Sequence, residues 1–445
     1  MCNPSPHNKH ESLVIVGGGP VGMLTALLYK DTFSSITILE RQSKEKFFAS
    51  RYTFPVVFTP AALNVMKQVD GLLKALKPSQ SPYQDLEVKF KVLGKWITIV
   101  KKFEGLNSSW RDTLVKVEHE LILKTKNISM HFGCELKSID FDQNICHEAT
   151  LGAFSYDLLI GADGCHSQTR QLLAEAHPLY DPKTDFKKDI VKRWHTFALP
   201  ITKEVDRDYC QYHANLTVQT GDKSDFALIA SVMRYPKDVV SYLISAPPSA
   251  TDEEFKEVKE KNFPYFSEEE MKKHNDESAI SGHFYHVTAP TFCYKSCVLL
   301  GDAAHSWQSS GDLLSIGFLT VGKLLSELQK AGVSIPNALK AYDESVGECV
   351  RFYSNNFAYP RSAAGMRGGE IATFSTLSKI GLTGTHPTVD SIYREGFDLE
   401  YDMKQYVRDL DTINHFKMVM LLLTFLSIFG ALVHYKVIEV SQFTA

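Results

Sequence analysis

The chain has 445 residues, 44% hydrophobic and 22% charged, with 26 glycines and 18 prolines. This excludes a collagen-like, disordered or low-complexity protein, and the length calls for one very large domain or roughly two to three interleaved ones. A net charge of −4, from 48 basic and 52 acidic residues, excludes an electrostatic nucleic-acid binder. The eight cysteines are too sparse and irregular for a disulfide framework. Cys293 and Cys297 are the closest pair, but no further Cys or His pair completes a zinc pattern, and no metal site is expected.

The first eleven residues are polar and lack the apolar core of a secretory signal. Leu13–Val16 reads as a strand, Gly22–Tyr29 as a helix and Ile36–Leu39 as a second strand, a βαβ opening. Ala61–Leu76 reads as one helix, Asp85–Val100 as strands and Val115–Thr125 as a helix. Ser129–Phe132, Leu136–Phe141 and Ala153–Ile160 read as further strands. Residues 183–290 are richer in charge and β-like runs, and the charged stretch Asp252–Glu277 reads as a solvated, partly helical face. Cys297–Leu300 is a short buried strand, Gly317–Ala331 a long helix, and 338–412 helices with loops. Met418–Tyr435 has no Asp, Glu, Lys or Arg and is bracketed by Lys417 and Lys436. Such a run spans about 27 Å as a helix and reads as a C-terminal membrane anchor, with the rest of the chain facing the cytosol.

Three short motifs carry the chemistry. Val14–Gly22 fits strand, GxGxxG, helix: Gly17 permits the tight turn, Gly19 lets backbone approach a pyrophosphate, and Gly22 lets helix and strand meet. Glu40 closes the second strand, where an acidic residue holds ribose hydroxyls. Gly161-Ala162-Asp163-Gly164 follows a strand and precedes Ser167 and Arg170, which open a helix. Gly301-Asp302-Ala303-Ala304-His305 follows another strand, its small residues allowing close approach and Asp302 able to accept from a polyol.

In this order the motifs GxGxxG…E, GADGxxSxxR and GDAAH resemble the group A flavoprotein monooxygenases, the family of p-hydroxybenzoate hydroxylase, over about residues 12–345. Kynurenine 3-monooxygenases are the most similar branch, with a membrane-associating C-terminal extension and a stretch similar to Met130-His131-Phe132. The resemblance implies FAD, with Gly17, Gly19 and Gly22 at the pyrophosphate and Glu40, with Arg41 beside it, at the adenosine ribose. It implies Asp163 and Gly164 near the pyrophosphate, in a motif that also serves NAD(P)H. It puts Asp302 on the ribityl chain, Arg51 near flavin and nicotinamide, and Gly311 in the loop after GDAAH. Departures from the family pattern lie beside the flavin: a proline after GDAAH is missing, Leu313 replaces a glycine and Ser315 an asparagine. Near Val115–Leu121 the family's second arginine is not found, and Lys116 is the nearby basic residue.

The fold expected is α/β: a Rossmann-type FAD-binding domain from 1–75, 110–180 and 290–345, with an inserted β-rich substrate domain from 76–109 and 181–289. A C-terminal helical region over 346–412 and the anchor at 418–435 complete it. The activity implied is NAD(P)H- and O2-dependent hydroxylation of an aromatic or lipophilic small molecule through a flavin C4a-hydroperoxide. A same-fold flavin reductase or dehydrogenase, or a non-catalytic FAD-binding protein at a membrane, is the alternative. No side chain is needed as nucleophile. His305 is expected to be a structural hydrogen-bonder, and Trp307 and Phe318 to line the ring or fill core.

Overall fold

A computed structural model describes residues 10–49, 55–79, 81–92, 95–200, 211–220, 223–233, 239–262, 280–306, 313–330 and 332–354, with isolated positions 398, 401, 404, 405, 408, 409 and 415. The chain opens with β1 (His10–Val16), α1 (Pro20–Tyr29) and β2 (Phe33–Glu40). Next come α2 (Lys44–Ala49), β3 (Pro55–Phe58), α3 (Pro60–Met66), α4 (Leu72–Leu76), a hairpin of β4 (Ser81–Val92) and β5 (Lys95–Trp110), α5 (Arg111–Leu123) and β6 (Ile128–Phe132). A meander of β7 (Leu136–Asp140), β8 (Ile145–Glu148) and β9 (Gly152–Ser155) leads to β10 (Leu158–Gly161) and α6 (Gln168–Ala176). Then follow β11 (Lys187–Pro200), β12 (Gln211–Thr220), β13 (Lys223–Met233), β14 (Val239–Ala246), α7 (Asp252–Asn262) and β15 (Ile280–Thr288). The last are β16 (Cys293–Tyr294), β17 (Cys297–Leu299), α8 (Leu313–Leu328), α9 (Ile335–Tyr342), a π-turn over Asp343–Gly347 and α10 (Glu348–Tyr353).

One six-stranded sheet runs in the order β16-β17-β10-β1-β2-β6. Every neighbour pair in it is parallel except the β16–β17 hairpin. Leu13 to Val16 and Leu158 to Ile160 are all buried, as expected for central parallel strands covered on both faces. An eight-stranded sheet runs β15-β11-β14-β13-β12-β4-β5-β3, antiparallel throughout except where β12 meets β4. Its strands come from between those of the parallel sheet, so the two are interleaved in sequence. The meander β7-β8-β9 is a third sheet.

Helix α1 is buried along nearly its whole length, which its apolar sequence MLTALLY allows. It packs on α5 and α8, and Tyr29 donates its hydroxyl to Val321 O at 2.9 Å. At the base of α8, Phe318 is fully buried and stacks on Phe58, with centroids 6.4 Å apart and planes 9° apart. It fills core.

Several elements differ from expectation. Ala61–Leu76 is two helices, because Gly71 sits at φ +81 and caps α4 from a left-handed conformation that ends helical continuity. Ala153–Ile160 is two strands of different sheets. Asp157 breaks the run, its carboxylate accepting from Glu11 N (2.7 Å) and Ser12 N (3.0 Å) and so pinning the start of β10 to β1. The charged stretch is helical over α7, and residues 263–279 lie outside the described residues.

The chain divides into two compact units, Met1–Pro360 with Ile392–Leu399, and Arg361–Ser391 with Glu400–Ala445. In the second, Gln405 Nε2 donates to Asp409 Oδ1 at 2.9 Å, one helical turn away. Among the described residues no helix is long and apolar enough to cross a membrane; Met418–Tyr435, the expected anchor, lies outside them.

At Gly22 an added Cβ would stand 2.1 Å from the carbonyl oxygen of Gly17, a backbone atom that cannot step aside. Gly22→Ala is therefore expected to destabilise the fold by about 1–3 kcal/mol, the range for overpacked positions. A lower denaturant midpoint at unchanged slope would show it.

Candidate functional site

The site begins where β1 ends. Gly17 has φ +107, and a Cβ there would stand 2.4 Å from Ala162 O, so the first glycine turn is pressed directly against the second motif. Its amide donates to Leu39 O at 2.8 Å. Gly19 is different: a Cβ there meets no atom within 4 Å. It is the N-cap of α1, no side chain caps that helix, and Pro20 at its first position has no N–H. The positive end of α1 therefore opens onto free space beside a glycine, a geometry that accepts a phosphate. Glu40, only 8% exposed, reaches back to this turn. Its Oε2 accepts from Gly18 N and its Oε1 from Gln42 N, each at 2.9 Å, which leaves each oxygen a further lone pair for a hydroxyl donor.

The second motif is tied to the third. Asp163 accepts from Ser167 Oγ (2.5 Å), Thr169 N (3.0 Å) and Thr169 Oγ1 (3.1 Å), so its carboxylate holds the start of α6. Ser167 caps α6 by accepting from Arg170 N at 2.9 Å. The Arg170 guanidinium, 7% exposed, donates to Cys165 O and to Ala303 O, both at 2.8 Å. Gly164 has φ +79, with open space where a Cβ would be. Gly301, at φ +58, lets the third motif meet Val21 of α1, whose Cγ2 would lie 2.9 Å from an added Cβ. The three motifs thus meet around the first turn of α1.

Asp302 lies in the short 3-10 turn Gly301–Ala303. Burial pushes its carboxyl up to about 6, against the pull of Arg111 and Arg170. Arg111 is the basic residue the sequence reading missed: it is the first residue of α5, and the charges of Asp302, Glu118, Glu40 and Asp112 all act on it. An arginine does head this helix, and Lys116, exposed and paired with Asp112 at 3.4 Å, is not its substitute. The signal was a basic residue directly after Trp110, four positions before the apolar run taken as the helix start. Ser315 is accounted for by packing: its hydroxyl donates to Val57 O (2.9 Å) and accepts from Thr59 N (3.1 Å), fastening α8 to β3 and α3.

Arg41 is exposed at the end of β2, and its charge reaches His166. His166 has Lys188 Nζ 3.0 Å from its Nδ1 and the Tyr285 ring edge-on at 4.7 Å, and burial, with the Lys188 and Arg41 charges, holds its imidazole below the usual range. Arg51, Trp307 and Gly311 lie outside the described residues. His305 is buried and lines a small cavity with Phe292, Ala304, Arg351 and Ser354.

No family model matches the chain. In sequence it is similar to kynurenine 3-monooxygenases: 23% identical over 382 residues to one from Aspergillus candidus, covering 75% of this chain and 71% of that one. It is also 23% identical over 202 residues to one from Debaryomyces hansenii, covering 40% and 41%. The matched part of the chain thus spans about two-fifths of the length of the Debaryomyces relative and about seven-tenths of the Aspergillus one. In structure it is similar to 2-methyl-3-hydroxypyridine-5-carboxylic acid oxygenase, with a TM-score of 0.64 at 16% identity over 87% of this chain and 97% of that one. PqsL of Pseudomonas aeruginosa gives a TM-score of 0.60 at 15% identity over 78% and 95%. The fold is that of the flavoprotein monooxygenases. Motif order and sequence similarity liken the chain to the group A flavoprotein monooxygenases, the kynurenine 3-monooxygenases among them.

Burial pushes the His305 imidazole down to about 3, so it is neutral at physiological pH. The unfolded chain takes up a proton there near pH 6.5 that the folded chain refuses, so this residue makes stability fall as pH drops from about 6.5 toward 3, by about 1.4 kcal/mol per pH unit. His305→Gln should reduce the acid-side slope of unfolding free energy by about one proton, read from denaturant titrations across that range. An unchanged slope would mean that the ring is charged in the fold.

Proposed function

We propose that the chain is an FAD-dependent monooxygenase that takes electrons from NAD(P)H and places one oxygen atom of O2 into an aromatic or lipophilic small molecule. The observation that carries this is the open cradle at Gly19, where the uncapped start of α1, the Glu40 carboxylate and the Arg111 charge converge. The names of the similar proteins, kynurenine 3-monooxygenase and an aromatic-acid oxygenase, favour the oxygenase reading over a reductase.

Within this reading the segments 1–75, 110–180 and 290–345 bind the cofactor, while 76–109 and 181–289 shape the substrate side. FAD, when bound, supplies the redox chemistry and the activation of O2. Glu40 accepts from the adenosine ribose. The α1 amides and Arg111 face the pyrophosphate, Asp302 accepts from the ribityl chain, and Arg51 and Gly311 border the ring. Asp163 and Gly164 shape the turn beside the pyrophosphate, with the Asp163 carboxylate turned to α6. The cations Arg41 and Lys188, beside His166, form a rim suited to the anionic nicotinamide cofactor. The apolar run 418–435 attaches the chain to a membrane.

The purified protein should be yellow. Gly19→Val fills the open space, so it should fold normally yet lose its flavin, in contrast to Gly22→Ala, which strains the fold. Asp302→Ala removes a charge-assisted acceptor, and a loss of about 1.5–3 kcal/mol weakens FAD binding about 10- to 150-fold. A substrate screen that follows NAD(P)H oxidation, O2 consumption and product mass tests the chemistry. Reduction of flavin without any oxygenated product would support a reductase, and a flavin that NAD(P)H never reduces would support a binding protein. Full-length protein should sediment with membranes and resist high-salt extraction, whereas a chain ending near Asn414 should stay soluble and keep FAD.

A further inference from the structure

Glu118 is the only acidic side chain among the described residues with no exposed surface, and neither of its carboxyl oxygens has a hydrogen-bond partner. It lies seven residues after Arg111, two turns along the same face of α5, among the buried Leu114, Val115 and Ile122. Side chains on a helix lean toward its N-terminus, so the Glu118 carboxyl leans toward the arginine at the cradle. Arg111 is the one charge that acts on it. Of the elements packed against α5, α1 contributes Tyr29, α4 the exposed Lys74, β6 His131, residues 106–110 at the end of β5 nothing charged, and α2, through Phe48, brings Lys44, whose charge acts on His119 and not on Glu118. On α5 itself Lys116 pairs with Asp112, Glu120 is exposed, and His119 meets Phe48 and Phe132 edge-to-face.

We propose that Glu118 couples cofactor binding to a proton, sharing the charge of Arg111 in the free protein and taking up one proton from solvent when the FAD pyrophosphate engages that arginine. The inference rests on the FAD reading above. An ionised carboxylate without hydrogen bonds is costly in the interior, and only the Arg111 charge offsets that cost. Two phosphate charges beside Arg111 cancel the offset, and the carboxyl becomes neutral. Burial already holds Glu118 well above the ordinary carboxylate range, which brings the exchange toward neutral pH. The sign follows: bound protein holds the proton more tightly than free protein, so FAD affinity falls as pH rises through the free-state value and levels off above the bound-state value.

The test is calorimetric titration of FAD into flavin-stripped full-length protein, in buffers of different ionisation enthalpy, from about pH 6 to 9. Wild type should take up as much as about one proton per FAD, with Kd rising by up to about tenfold per pH unit inside the window. Glu118→Gln is neutral at every pH. It should lose that uptake, match wild type at the acid end and bind FAD more tightly than wild type at the alkaline end. Glu118→Leu should do the same, which guards against a folding defect peculiar to one variant. Absence of proton uptake in wild type overturns the inference, as does uptake that survives in Glu118→Gln, or weaker binding by both variants at every pH. Failure of wild type to bind FAD at any pH overturns the FAD reading itself.

Discussion

A single buried cation holds the turns of the second and third motifs in register. The Arg170 guanidinium donates to carbonyl oxygens in the turns after two neighbouring parallel strands, Cys165 O after β10 and Ala303 O after β17. Its own backbone amide is held by Ser167, and Ser167 by Asp163, so one chain of bonds runs from the second motif into the third. The first motif joins through bare backbone, Gly17 against Ala162. Without the arginine, a buried and a part-buried carbonyl would lose this donor and the turn carrying Asp302 would lose its tether. The placement of the Asp302 carboxylate thus depends on a residue that is itself buried.

The cleft is a balance of charges at close quarters. Glu40, Asp302 and Glu118 act on Arg111, and Arg170 adds a second cation near Asp302. An anionic ligand that enters such a cluster redistributes the charge among its members. Burial keeps His305, three residues from Asp302, neutral.

The parallel sheet was legible because its strands are continuous apolar runs ending in glycine turns, a pattern that short central strands impose on any sequence. The glycine loop and Glu40 were legible for the same reason, since backbone geometry dictates residue type there. Arg111 was not, because α5 begins at Trp110 without a capping side chain, and apolar periodicity placed its start at Val115. Gly71 was visible, but nothing local says whether a glycine ends a helix or merely weakens it. The hydrogen bonds of Asp163 and Ser315 were hidden for another reason. Asp163 turns to Ser167 and Thr169, four and six residues on, which a turn motif does not announce, and Ser315 bonds residues more than 250 positions away. The segments bearing Arg51 and Gly311 lie outside the described residues.

The interleaving of the two sheets has a consequence for biogenesis. The parallel sheet draws its strands from residues 10–40, 128–132, 158–161 and 293–299, and β10 has β17 as its outer neighbour. Until Cys297–Leu299 leaves the ribosome, β10 presents an unpaired apolar edge, and the turn that receives Arg170 has not been made. A nascent chain of nearly 300 residues therefore carries the glycine loop without the cradle's far wall. Flavin loading becomes a late event that closes the sheet, and the exposed edge is where a chaperone would be needed or aggregation would begin.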